Sequence, residues 1–129
     1  MIIDSHCHIH DAQFYPENRE EVYARAIAAD VQLLLIGTSE ADSRVAVEFA
    51  AAHAGTWAVV GVHPHDTKGG WQDIGQLLTE KPTKVVGIGE IGLDYFYDNS
   101  PRDVQIRALE EQLQWASDYR LPVSFHVRE

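Results

Sequence analysis

Hydrophobic and polar positions divide the chain into five short apolar runs separated by four stretches in which apolar residues return every three or four positions. The first run, residues 1–5, lacks clean alternation at its start, which predicts a strand buried on both faces. A loop with Asp11 and Gln13 follows, and then a helix over residues 16–30. Pro16 suits its first turn, Glu17, Glu20 and Glu21 suit its positive end, and Val22, Ala26 and Ala29 form its apolar face. The run Val31-Gln32-Leu33-Leu34-Leu35-Ile36, closed by Gly37, is too short for another helix and reads as a second buried strand. Ser39 is placed to cap a helix with Asp42 three residues on. Ala41, Val45, Phe49 and Ala52 mark its inner face, and Gly55 ends it.

The remaining runs repeat this alternation. Residues 57–62 form a third strand that enters the polar loop His63-Pro64-His65-Asp66, and Trp71, Ile74 and Leu78 mark a third helix. Residues 84–89 form a fourth strand, which delivers Glu90 and a loop over 91–95. Ser100 and Pro101 open a fourth helix with Ile106, Leu109, Leu113 and Ala116 on one face. Residues 122–125 form a fifth strand, which delivers His126. Strict strand–helix alternation predicts an α/β fold with a parallel sheet and right-handed crossovers, organised as one domain over residues 1–129.

Polar clusters close four of the five strands, at the end where parallel α/β folds bind ligands. Five of the seven histidines fall there: His6, His8, His63, His65 and His126. Side chains alternate along an extended backbone, so His6 and His8 share a face and their imidazoles can converge on one ion. Glu90, flanked by Gly87, Gly89 and Gly92, and Asp94 add carboxylates. Imidazole with carboxylate is a ligand set for zinc, manganese and related divalent ions. Blander roles stand beside these. His6 and His8 can be a solvent-facing pair, Glu90 a surface carboxylate, His63-Pro64-His65 a simple turn, Asp94 a loop cap, and Arg128 a solvated side chain.

Composition narrows the class. At 129 residues, 45% hydrophobic and 23% charged, the chain is ordinary for a globular domain. The formal net charge of −10 argues against broad coating of nucleic acid, although bound cations would invert the sign within a pocket. One cysteine, Cys7, excludes an intrachain disulfide and predicts a reducing, cytoplasmic home, with the thiol itself a small buried hydrophobe. No run has membrane-spanning length and no signal peptide is visible. Trp57, Trp71 and Trp115 lie on strand or helix bodies, so they read as core or interface.

Four segments in order, Asp4-Ser5-His6-Cys7-His8, Gly61-Val62-His63-Pro64-His65, Gly89-Glu90-Ile91-Gly92-Leu93-Asp94-Tyr95 and Leu121-Pro122-Val123-Ser124-Phe125-His126-Val127-Arg128, resemble the successive signatures of the TatD family of metal-dependent deoxyribonucleases. These are amidohydrolase-like TIM barrels. The resemblance implies a partial (β/α)8 barrel with about five of eight strands, the amino-terminal portion of such a barrel. It implies two divalent ions (Mg, Mn or Zn), with His6 and His8 on one, His126 on the other and Glu90 shared and catalytic. It further implies His63, His65 and Arg128 on substrate, and DNA phosphodiesters as that substrate. A histidine after the sixth strand and a late aspartate belong to the family's pattern and are absent from this sequence. Two other functions therefore stay open: an amidohydrolase of cyclic amides or esters, and an inactive metal-binding half-barrel that needs a complementary chain. The two open sheet edges predict self-association or pairing.

Overall fold

A computed structural model describes residues 1–129. Five strands, β1 (Ile2–Cys7), β2 (Val31–Ile36), β3 (Thr56–Val60), β4 (Val85–Asp94) and β5 (Val123–Arg128), alternate with helices α1 (Arg19–Ala28), α2 (Glu40–Ala52), α3 (Gln72–Thr79) and α4 (Arg102–Tyr119). All ladders are parallel and the sheet order is β1-β2-β3-β4-β5, so every strand pairs only with its sequence neighbours. The result is a half-barrel of βα units with its two free edges at β1 and β5.

The core lies between the sheet and the helical layer. Leu33, Leu35, Ala58, Val60 and Ile88 face outward from the strands. They meet Ala46 and Phe49 of α2, Ile74, Leu77 and Leu78 of α3, and Ala108 and Ala116 of α4. Each large aliphatic or aromatic side chain buried this way contributes about 1.5–3 kcal/mol. Ser39 caps α2 as its position predicts, its hydroxyl accepting from the Asp42 N–H at 3.1 Å. Trp71 is buried, and its indole N–H donates to Glu111 at 2.7 Å.

Several boundaries and faces depart from the sequence reading. β1 is not buried: Ile2 and Ile3 are 65% and 53% exposed, because β1 is an edge strand that no further layer covers. α1 begins at Arg19, not at Pro16, since residues 12–18 form turns, and none of its residues is fully buried. In α2 only Phe49 of the four expected residues is buried. Ser43, Ala46 and Ala50 complete the inner face, while Val45 points outward. In α4 the buried positions are Gln105, Ala108, Gln112 and Ala116, and Ile106 is exposed. β4 and β5 run further than their apolar stretches, so Glu90, Asp94, His126 and Arg128 lie within strands and not in following loops. The ladder Gly92–His126 and Asp94–Arg128 holds these polar segments extended. Cys7 is half-buried, and burial pushes its thiol upward.

Candidate functional site

The alternation of β1 brings the rings of His6 and His8 together, with centroids 5.0 Å apart. His8 Nδ1 lies 3.0 Å from the Ile36 carbonyl. A carbonyl only accepts, so Nδ1 carries the proton and Nε2 keeps a free lone pair, the tautomer a metal ligand needs. His6 is half-exposed, and its Nε2 sits 3.4 Å from Glu90 Oε2.

Glu90 is the hub. Its N–H donates to the Gly37 carbonyl at 2.9 Å, which ties β4 to the end of β2. Its Oε1 lies 3.1 Å from His126 Nδ1 and 4.0 Å from His63 Nε2. Gly92 passes so close to the His126 carbonyl that a Cβ there would overlap it, so the β4–β5 approach that brings His126 to Glu90 admits no side chain at Gly92. Three groups of ligand atoms result, each within 4.8 Å of one another: His6, His8 and Glu90; His63, Glu90 and His126; His65, Asp94 and His126.

His63 differs from His8 in its tautomer. Its Nδ1 accepts from the His65 N–H at 3.1 Å, so its Nε2 is the protonated nitrogen. Burial, then the neighbouring His126, push this imidazole down to about 4, which keeps it neutral at pH 7. A neutral ring with an N–H aimed at the cluster suits an anionic oxygen better than it suits a metal ion.

Asp94 takes one of the roles the sequence leaves open, the loop cap, and also contacts two histidines. Its Oδ1 accepts from the Tyr97 N–H at 3.1 Å, a loop cap, while Oδ2 lies 2.6 Å from His65 Nε2 and 2.9 Å from His126 Nε2. Burial pushes this carboxyl up. The hydrogen bonds from Tyr97, His126 and His65 outweigh that and hold it well below the usual carboxylate range. His126 thus meets a carboxylate at each nitrogen. A neutral imidazole donates from only one, so the other contact needs a cation or a proton between the two lone pairs. With the free lone pair of His8, this is a donor set that fits divalent metal.

Three contributors lie outside the sequence reading. His10 is fully buried two residues beyond His8, and its Nε2 lies 3.0 Å from Asp42, which also accepts from the Thr38 N–H. The continued alternate spacing His6, His8, His10 is the one sequence signal for it. Gln105 and Gln112, two turns apart on α4, clamp strand-end backbone. Gln105 Oε1 accepts from the Asp94 N–H at 2.8 Å, and Gln112 Oε1 accepts from the Val62 N–H at 2.8 Å, one residue before His63. Arg128 is exposed, with its guanidinium 5.4 Å from the Tyr97 ring centroid.

A parallel βα sheet that gathers imidazoles and carboxylates at the carboxyl ends of its strands has the architecture and the donor set of the metal-binding βα-barrel class. The family model described as TatD related DNase matches residues 3–129, and the chain belongs to that family. It is 37% identical over 120 residues to the 3'-5' ssDNA/RNA exonuclease TatD of Salmonella typhimurium, a match covering 89% of this chain and 45% of that protein. It is 34% identical over 134 residues to the uncharacterized metal-dependent hydrolase YabD of Bacillus subtilis, covering 100% of this chain and 51% of that one. The crystal structure of YjjV, a TatD homologue from Escherichia coli, superposes with a TM-score of 0.88 at 32% identity over 99% of this chain and 51% of that chain. The chain therefore spans about half the length of the relatives it matches.

Proposed function

We propose that this chain contributes one half of a site for metal-assisted hydrolysis of phosphodiester bonds at the end of a single nucleic-acid strand, DNA above all. His6 and His8 would hold one divalent ion, His126 a second and Glu90 both. Magnesium, manganese and zinc all accept such a set. The observation that carries this reading is the division of the Glu90 carboxylate, Oε2 toward His6 and Oε1 toward His126. When bound, the cations supply Lewis acidity toward a phosphoryl oxygen and a water acidic near neutrality.

The protein's own groups orient the substrate. The His63 Nε2–H donates to a phosphoryl oxygen, His65 stands anchored on Asp94 beside it, and Arg128 adds positive charge at the rim. A single strand, DNA or RNA, is supported by what the Salmonella relative is named to cleave. The lone cysteine supports a cytoplasmic location. The exposed apolar side chains of β1 and β5 support pairing through the free edges, with a second copy or a complementary half-barrel.

Calorimetric titration with Mn²⁺ tests the metal site. Wild-type chain is expected to bind, and Glu90→Gln to lose at least about tenfold in affinity. Turnover of an end-labelled single-stranded oligonucleotide should need Mn²⁺, stop with EDTA, and rise when a polypeptide carrying the later half of a relative's barrel is added. Hydrolysis of cyclic amides or esters in place of the oligonucleotide would sink the phosphodiester assignment.

A further inference from the structure

The loop after β1 holds a phenylalanine in water. Phe14 is 70% exposed, yet the backbone around it is fixed. Asp11 N–H donates to the His8 carbonyl at 2.9 Å, Tyr15 N–H donates to the Asp11 carbonyl at 3.1 Å, and Gln13 N–H donates to Asp11 Oδ1 at 2.7 Å. An apolar ring held out on an ordered turn is placed to contact a ligand where it borders a cleft.

That ring lines a cleft of about 530 Å³ together with Thr38, Asp42, His63 and His65. The volume falls within the range of small-molecule sites. His63 belongs both to this cleft and to the group with Glu90 and His126, so the cleft adjoins that group. No lysine or arginine lines the cleft, while Asp11, Asp42 and Asp66 do. These carboxylates repel a phosphate beside them, which leaves the phosphate to His63 and the Glu90 cluster. A flat, uncharged ring bearing N–H donors is welcome, since carboxylates accept from it and the phenylalanine face stacks on it.

We infer that this cleft is a nucleobase subsite, in which Phe14 stacks on the terminal base of a single strand whose phosphate lies at the Glu90 cluster. The inference rests on the phosphodiester reading above and adds the group that selects an unpaired end. A paired terminal base has its Watson–Crick N–H groups engaged by its partner and has none to give the carboxylates, so the cleft discriminates against a closed duplex end. Stacking of a base on an aromatic side chain corresponds to roughly 5- to 150-fold in affinity.

The test is equilibrium binding, by fluorescence anisotropy with Ca²⁺ present, of the full chain to 5'-labelled hexathymidylate and to the same probe with an abasic 3'-terminal residue. Wild-type chain is expected to bind the abasic probe roughly 5- to 150-fold more weakly. Phe14→Ala and Phe14→Leu should lose the same factor on the intact probe and nothing more on the abasic one, while Phe14→Trp keeps wild-type affinity. Circular dichroism should show all three variants folded, because the side chain is exposed. If Phe14→Ala binds the intact probe as wild type does, or weakens both probes equally, the subsite is wrong and the phosphodiester reading stands. If wild type binds neither probe, both fall.

Discussion

Two imidazoles of the same cluster do opposite work because of which nitrogen each leaves free. His8 spends its proton on the Ile36 carbonyl and presents a lone pair, whereas His63 accepts at Nδ1 and presents an N–H. Sequence alone shows both residues but not this difference, because the partner carbonyl lies 28 positions away. The buried His10–Asp42 pair escapes the sequence for the same reason, its members being 32 residues apart. Burial pushes the Asp42 carboxyl up, but the bonds from His10 and Thr38 prevail and lower it overall. A carboxyl that titrates lower in the folded than in the unfolded chain contributes stability that is full above the unfolded value, about 4, and is lost as pH falls through the folded value. Asp42→Asn should therefore cost about 1–3 kcal/mol at pH 7 and flatten the loss of stability between about pH 5 and pH 3. Urea unfolding at several pH values measures both. An unchanged acid slope in the variant would contradict this account of Asp42.

At the level of elements, α4 shows where periodicity misleads. Apolar spacing selects Ile106, Leu109, Leu113 and Ala116; Ala116 is buried and Leu109 and Leu113 pack at the edge of the core, yet Ile106 is exposed and the helix turns Gln105 and Gln112 inward with Ala108. Small alanines let the helix approach the sheet, and each glutamine satisfies backbone at a strand end, Gln105 at Asp94, the last residue of β4, and Gln112 at Val62, just past β3. Gln112 Nε2 also donates to the Ala108 carbonyl at 3.2 Å. Gln112→Leu would leave the Val62 N–H buried and unpaired, and roughly 2–4 kcal/mol of stability should go with it, read from chemical denaturation. A loss below about 0.5 kcal/mol would mean the clamp is dispensable. The strands were legible as elements, all five in order, but not in extent. Polar residues such as Glu90 and His126 end an apolar run without ending a ladder.

For the whole molecule, alternation of runs was enough to foretell parallel βα units, and four short segments carried the family. What the runs could not convey was exposure. β1 reads as fully buried because its residues suit a covered strand, and here nothing lies over it. Ile3 on β1 and Val127 on β5, 53% and 73% exposed, mark the two edges. Wild-type chain is expected to associate as its concentration rises, and the double substitution Ile3→Lys with Val127→Lys should shift it toward monomer in light scattering. A wild-type chain that stays monomeric at high concentration would remove the edges from the account. The contact between His6 and Glu90 also has a mechanical side. β1 and β4 stand three strand spacings apart, roughly 14 Å across a flat sheet, whereas the two side chains meet at 3.4 Å. The pair is the chord of an arc. Whatever draws His6 and Glu90 together bends the sheet further, and whatever flattens the sheet pulls them apart, so an ion held at the proposed site would be felt as curvature of the whole sheet.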